Sequence, residues 1–150
     1  MDLTIRSADT NDSELVILFI NKLLSELSEQ PILMQKRKAE NAFNLCCKNE
    51  NVVFLAFQND QACGLITIVK SLAIYTEGYY GVINEFYISP EFRSAGIGSA
   101  LLKKAKEHAI KQNWSRLEVG APNAEKWQRT IDFYKHKGFC QVGPKLKIQL

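Results

Sequence analysis

The stretch "ISPEFRSAGIGSALLKKAKEHA", Ile88 to Ala109, joins an apolar, strand-like run to an amphipathic helix. Gly96 and Gly98 stand at the start of that helix, where glycine costs about 1 kcal/mol relative to alanine. The first N–H groups of a helix have no partner within it and lie at the positive end of its dipole, so they form an anion site. The glycines indicate either a tight turn or a close approach of an anionic ligand to the backbone, with Arg93 adding charge-assisted hydrogen bonds.

Two nucleotide-binding motifs do not fit this loop. A P-loop ends in Gly-Lys-Ser/Thr, whereas Gly98 is followed by Ser99 and Ala100. The dinucleotide fingerprint G-x-G-x-x-G needs a third glycine, and Leu101 stands at that position.

Length and composition predict one soluble globular domain over residues 1–150. The chain has 150 residues, of which 46% are hydrophobic and 23% charged, as is usual for such domains. The net charge is only +3, from 19 basic and 16 acidic residues. This balance argues against nucleic acid as the main partner.

Cysteine and histidine spacing predicts no metal site. The chain has four cysteines and two histidines, and no pair of cysteines has ligand spacing. We interpret the cysteines as reduced, which together with an N-terminal "MDLTIRSADTND" that lacks a signal-peptide pattern predicts a cytoplasmic protein. The longest apolar run, "LVILFI", is too short to span a bilayer, so no membrane partner is expected.

Hydrophobic periodicity predicts the element order βααβββαβαββ. This order is typical of an α+β fold with a central mixed α/β sheet and helices on both faces. We expect Asn11 to cap the first helix with Glu14 completing a capping box, "ND" to form a hairpin turn, and "FCQV" and "KLKIQL" to form a closing strand pair. The aromatic segment "YTEGYYG" fits either a loop that closes over a substrate or a tyrosine-rich hairpin end.

The motifs of residues 82–140 resemble the GNAT superfamily of N-acetyltransferases. "RSAGIG" matches the R-x-x-G-x-G/A signature, and "FYISPEFRSAGIGSALLKKA" resembles the family's strand 4, pyrophosphate loop and helix 3. "LEVGAPN" resembles strand 5, and "TIDFYKHKGF" resembles the late helix with its F-Y-x-x-x-G-F ending. The element order extends the resemblance over essentially the whole chain.

The resemblance implies acetyl-CoA as co-substrate and assigns its contacts. The backbone of Phe86, Tyr87 and Ile88 is expected to pair with the pantetheine arm, like a peptide added to a strand edge. Many relatives have a cofactor-contacting asparagine seven residues before the tyrosine that Tyr134 matches, where this chain has Trp127; Asn123 is the nearby substitute. The pyrophosphate is expected on the amides of Arg93, Ser94, Ala95, Gly96, Ile97, Gly98 and Ser99.

Direct acetyl transfer to an amine needs a base, a site for the carbonyl's developing charge and a proton for the departing sulfur. By the resemblance, Tyr134 supplies that proton, since a phenol of pKa about 10 suits a thiolate of pKa about 8–10. The Ile88 amide is expected to meet the oxyanion. Glu85 and Glu118 are the two candidate bases, and Glu85 is preferred.

We therefore predict direct transfer from acetyl-CoA to a primary amine of a small molecule or peptide. Transfer of another acyl group and a non-catalytic acyl-CoA-binding regulatory domain are the alternatives. The acceptor stays open, and the exposed strand ends near "KLKIQL" make a homodimer plausible.

Overall fold

Five strands and four α-helices lie along residues 2–150, the part of the chain that the computed structural model describes. They group into two units, which divide between Glu118 and Val119. The bounds are β1 (Leu3–Ser7), α1 (Ser13–Ser28), α2 (Lys36–Cys46), β2 (Val52–Gln58), β3 (Gln61–Ala73), β4 (Gly78–Ile88), α3 (Ile97–Lys111), β5 (Leu117–Val119) and α4 (Ala124–His136).

The sheet has the order β1-β2-β3-β4-β5 and is mixed, which confirms the predicted fold class. Strands β1 to β4 pair antiparallel with their sequence neighbours. Helix α3 then crosses over, and the N–H groups of Gly81 and Ser115 donate to the carbonyls of Arg116 and Tyr79, at 2.9 and 3.1 Å. Residue numbers rise together along these two segments, so they run parallel.

Apolar side chains cover both faces of the sheet in the first unit. Helix α3 packs on β2, β3 and β4 and buries Ile97, Leu101, Leu102, Ala105 and Ala109. Burying a side chain such as Leu101 completely contributes about 1.5–3 kcal/mol. Helices α1 and α2 build the other cluster, which contains Val16, Phe19, Phe43, Val53, Leu55, Leu65 and Tyr87.

The two tight connections between β2, β3 and β4 are hairpin turns. Asn59 and Asp60 both have positive φ, 49° and 64°, which is the left-handed pair that a two-residue I′ turn requires. The predicted "ND" turn is therefore confirmed. Ala73 pairs with Gly78 across the second connection, so "YTEGYYG" forms a hairpin end whose last four residues belong to β4.

Strand β4 contains one residue more than β3 in the middle of their pairing. Ile66 lies opposite Phe86 and Ile68 lies opposite Ile83. Between these two pairs, Thr67 alone faces two residues of β4. The extra residue makes a β-bulge, which interrupts the ladder and bends the strand.

Two details of the predicted order are wrong. The last two strands do not form: residues 139–150 contain no helix or strand. An alternating pattern shows which side chains would share a face of a strand, but it does not supply the neighbouring strand that pairing requires. The predicted capping box of Asn11 and Glu14 is also wrong, because Asp9 and Asp12 form it instead. The Asp9 carboxylate accepts from the Asn11 N–H at 2.8 Å, and the Asp12 carboxylate accepts from the Asp9 N–H at 2.9 Å. The extended backbone of Asp9 brings its carboxylate to the turn that precedes α1.

Close packing at Gly64 gives a stability prediction. A Cβ at this position would lie 2.6 Å from the Tyr87 carbonyl oxygen and 2.7 Å from the Ile88 side chain. We expect Gly64→Ala to lower the free energy of unfolding in urea by about 1–3 kcal/mol, because the paired backbone of β4 cannot move away cheaply. The control is Gly120→Ala, whose Cβ would have Lys145 as nearest neighbour at 3.8 Å, and it should stay within about 0.5 kcal/mol of wild type. Wild-type stability of Gly64→Ala would contradict this packing.

Candidate active site

The bulge of β4 holds a half-buried carboxylate, that of Glu85. The Glu85 N–H donates to Thr67 Oγ1 at 2.9 Å, in place of a carbonyl of β3. The Thr67 hydroxyl in turn donates to Glu85 Oε2. Thr67 is 2% exposed, so this reciprocal pair orients the carboxylate from within the sheet.

The end of α2 lies close to the same carboxylate. Burial, and after it the negative charge of Glu85, raises the pKa of the Cys46 thiol. Cys46 also packs against the apolar cluster of α1 and α2. Glu85 therefore belongs to the side of the sheet that these two helices cover.

Beyond the bulge, the amides of β4 alternate between its two sides. The Ser89 N–H donates to the Cys63 carbonyl at 2.9 Å, across to β3. Alternation then turns the Tyr87 amide toward β3 and the amides of Phe86 and Ile88 away from it. All three residues predicted to pair with pantetheine lie in register with β3: Phe86 opposite Ile66, Tyr87 opposite Leu65 and Ile88 opposite Gly64. Within this register, the N–H groups of Phe86 and Ile88 point to the side of β4 away from β3.

The loop between β4 and α3 has the backbone of an anion site. Ser94 has φ 64° and Gly96 has φ 81°, so both lie in the left-handed region. Nothing lies within 4 Å of the place where a Cβ of Gly96 would stand, and α3 begins at the next residue, Ile97. The first N–H groups of this helix have no acceptor within it, which fits the diphosphate of acetyl-CoA.

The outer part of the predicted loop and its inner part differ in exposure. Ser94, Ala95 and Gly96 are exposed, whereas the Ile97 side chain is 2% exposed and anchors the helix in the core. Gly98 and Ser99 are half-buried in the first turn.

The Arg93 side chain is engaged within the protein. Its Nε donates to the Ile88 carbonyl at 2.9 Å, and its two terminal nitrogens donate to the carboxylate of Glu26 at 2.9 and 2.8 Å. The Arg93 N–H donates to the Pro90 carbonyl at 3.2 Å. Both the side chain and the amide that were predicted to meet pyrophosphate thus have protein partners.

Glu118, the second candidate base, belongs to a polar cluster at the β3–β4 hairpin end. Its Oε2 accepts from Arg116 at 2.5 Å and from the Tyr75 hydroxyl at 3.3 Å. The Arg116 guanidinium also lies 5.0 Å from the ring centre of Tyr75. Glu118 is therefore paired at the surface, whereas Glu85 is fixed by a buried hydroxyl.

Three predicted site residues belong to the second unit, on α4. Asn123 is the N-cap of this helix, and its side chain accepts from the Glu125 N–H at 2.9 Å. Trp127 interrupts the helix with φ −124° and ψ 30°. Tyr134 is 8% exposed and has the rings of Phe133 and Phe139 at 5.6 and 5.5 Å. Burial raises the pKa of Tyr134 to about 12.

Residues 2–150 lack two kinds of feature. They contain no cluster of three or more histidine, cysteine or acidic side chains that is able to hold a metal ion. No helix among them has the length and apolar character needed to cross a membrane.

The chain belongs to the GNAT family of acetyltransferases. The family described as "Acetyltransferase (GNAT) family" matches residues 19–139, which include the β4 bulge, the loop before α3 and α4. An uncharacterized N-acetyltransferase of Archaeoglobus fulgidus is 29% identical over 126 residues, covering 81% of this chain and 84% of that protein.

Two further similarities agree with this assignment. A predicted acetyltransferase of Clostridium acetobutylicum, crystallised with acetyl-CoA, has a TM-score of 0.82 and 21% identity, covering 99% of this chain and 96% of that one. The thialysine N-epsilon-acetyltransferase of Bos taurus is 36% identical over 56 residues, or 37% of this chain and 32% of the bovine protein.

Sequence reasoning missed two residues that the structure places beside the predicted ones. Thr67 lies in an apolar run, where a threonine is an ordinary strand residue, and only the bulge shows its role. Glu26 stands on a polar position of α1, and the signature around Arg93 gives no signal for a partner so distant in sequence. Neither position carries a sequence pattern that would have singled it out.

The raised pKa of Tyr134 predicts a change in stability at alkaline pH. A tyrosine with pKa about 10 when unfolded and about 12 when folded contributes stability that is complete below pH 10 and lost as the pH rises through 12. Between pH 8 and 11 wild type should lose about 1.4 kcal/mol more unfolding free energy than Tyr134→Phe. Urea denaturation at both pH values measures this, with Tyr79→Phe at an exposed tyrosine as the control for losing a hydroxyl. Equal losses in wild type and Tyr134→Phe would contradict the raised pKa.

Proposed function

We propose that this protein transfers acetyl from acetyl-CoA directly to a primary amine. The observation that carries the proposal is the loop from Ser94 to Gly98, with two left-handed residues, open space beside Gly96 and a helix N-terminus. A diphosphate requires backbone N–H groups that it can approach without a side-chain clash. The amides from Ser94 to Ser99 are the proposed ligands, and the side of β4 that faces away from β3 at Phe86 and Ile88 is proposed for the pantetheine.

Glu85 is the proposed base. An ammonium group is attracted to a carboxylate but must lose a proton before it can attack a thioester carbonyl. The Thr67 hydroxyl fixes this carboxylate at the bulge, where the β4 backbone begins to turn its amides outward. In this proposal Glu85 accepts the proton and the Ile88 N–H stabilises the carbonyl oxygen as it gains charge.

Tyr134 is the proposed donor of the proton that the departing sulfur takes up, on the resemblance to the family. Because burial raises its pKa to about 12, the phenol stays protonated across the neutral range. It is also a weaker acid than the ordinary phenol on which the sequence prediction rested. An acid works best when its pKa is close to the working pH, so we propose a smaller contribution from Tyr134 than from Glu85.

The amine acceptor is proposed from chemistry and from one relative's name. The bovine protein is named for acetylation at an N-epsilon nitrogen, which supports an amine acceptor here. A carboxylate at Glu85 suits a substrate that is cationic in solution.

We propose that the reaction takes place in the cytoplasm, in one N-acetyltransferase domain over residues 1–150, and that it uses no metal.

Binding of CoA tests the loop. Gly96→Val should abolish acetyl-CoA binding in calorimetry, because the new side chain strains a left-handed backbone and occupies the approach to the amides. Gly78 also has positive φ and open surroundings, and it lies at a hairpin end, so Gly78→Val is the matched control for strain. Normal acetyl-CoA binding by a folded Gly96→Val protein would overturn the loop assignment.

Turnover with a panel of amines tests the base. In an assay of free-thiol release from acetyl-CoA, Glu85→Gln should lower kcat about 10²–10⁴-fold and shift the acidic limb of the pH–rate profile. Glu118→Gln is the control, and its kcat should stay close to wild type because this carboxylate pairs with Arg116 at the surface.

Other outcomes of that assay point to other roles. If Glu85→Gln raises only the KM for the amine, the residue binds the substrate and does not take its proton. A wild-type protein that binds acetyl-CoA and releases no thiol with any amine would favour the non-catalytic alternative. Faster turnover with another acyl-CoA would replace acetyl as the transferred group.

A further inference from the structure

The Arg93 side chain connects three elements of the first unit. Its two terminal nitrogens bind both carboxylate oxygens of Glu26 in the last turns of α1, and its Nε binds the carbonyl of Ile88 at the end of β4. Arg93 itself begins the loop that leads to α3. The three hydrogen bonds are 2.8–2.9 Å long, which is the range of charge-assisted bonds in good geometry.

An aromatic side chain, that of Tyr87, packs between α1 and Arg93 and supports this connection. Tyr87, which is 4% exposed, has the Phe19 ring of α1 at 5.5 Å and the Arg93 guanidinium at 5.8 Å from its ring centre. Burial raises the pKa of the Tyr87 phenol above its usual value, and the hydrogen bond to Ser89 and the positive charge of Arg93 only partly oppose this rise. The ion pair between Arg93 and Glu26 is partly shielded from solvent, since the side-chain exposures are 41% for Arg93 and 30% for Glu26.

We propose that Glu26 is a positioning residue for acetyl-CoA binding, because it holds Arg93 and thereby fixes the loop whose amides receive the diphosphate. This inference rests on the proposed function. It assigns a role to a residue of α1 that lies outside the loop signature. It also changes the expected role of Arg93, which then acts through Glu26 and Ile88 and does not contact the phosphates with its side chain.

Charge and geometry support this division of roles. A guanidinium that is bound in a bidentate manner to a carboxylate forms a neutral pair, so its attraction for a diphosphate is largely cancelled. The loop needs an external restraint, because Ser94, a residue with a side chain, adopts a left-handed backbone with φ 64° that costs about 1–2 kcal/mol. Arg93 is the residue immediately before it, and Glu26 holds this residue from α1.

Calorimetry with CoA as the probe measures the effect. We expect Glu26→Gln to weaken CoA binding about three- to tenfold, as for loss of a partly exposed, bidentate ion pair. Arg93→Gln should weaken it to a similar extent, and the double variant should bind no more weakly than the weaker single one, because the two residues act as a unit. The kcat and the KM for the amine should stay near wild type in Glu26→Gln.

The matched control removes a carboxylate from another surface ion pair. Glu40 pairs with Lys36 on α2 at 3.9 Å, and Glu40→Gln should leave CoA binding unchanged. The proposal is overturned if Glu26→Gln strengthens CoA binding, since release of the guanidinium would then show Arg93 to be a direct phosphate ligand. Unchanged binding in Glu26→Gln would also overturn it.

A second measurement requires no ligand. Amide hydrogen exchange in residues 93–99 should be about three- to tenfold faster in Glu26→Gln than in wild type, while β2 and β3 keep their protection. If wild type does not bind CoA, the proposed function fails, and the exchange experiment still decides whether Glu26 fixes the loop. If wild type binds CoA and Glu26→Gln exchanges at the wild-type rate, only the present inference fails.

Discussion

The hydroxyl of Thr67 takes the place of a backbone partner where β4 is one residue longer than β3. A buried N–H without a partner costs about 1–3 kcal/mol, so a bulge at this depth requires an oxygen from some other source. Thr67 supplies it to the Glu85 N–H and at the same time orients the Glu85 carboxylate. The candidate base therefore owes its position to an irregularity of the sheet. The bulge also sets the register of the rest of β4. It therefore determines that the amides of Phe86 and Ile88 point away from β3.

The loop that follows β4 is restrained from both layers that cover the sheet. Ile97, the first residue of α3, is buried in the core and fixes the end of the loop. Glu26 on α1 holds Arg93 at the beginning of the loop. Ser94 and Gly96 take left-handed conformations between these two fixed points. An anion site made of backbone amides needs such restraint, because its affinity depends on the directions of several N–H groups at once.

Features that arise from neighbouring residues were predictable, and those that join distant residues were not. Strand alternation and helical periodicity predicted the mixed sheet and the amphipathic helix that is α3, and the dipeptide "ND" predicted the hairpin at Asn59 and Asp60. The signature from Arg93 to Gly98 predicted the family and the position of the loop. The bond to Glu26 joins residues 67 positions apart, and the role of Thr67 exists only through the register of two strands. The closing strands were predicted from alternation that has no partner among the described residues.

The segment after α4 leaves a series of large apolar side chains in water. Val142, Leu146, Ile148 and Leu150 are each more than 70% exposed, in a stretch with the alternation of a strand. Such a stretch is a template for pairing between molecules, and natural proteins commonly guard it with charge or proline. Pro144, Lys145 and Lys147 stand among these apolar residues. Repulsion between the lysines of two approaching chains opposes the pairing of these segments as strands of one sheet. The charges within the segment therefore act against its aggregation.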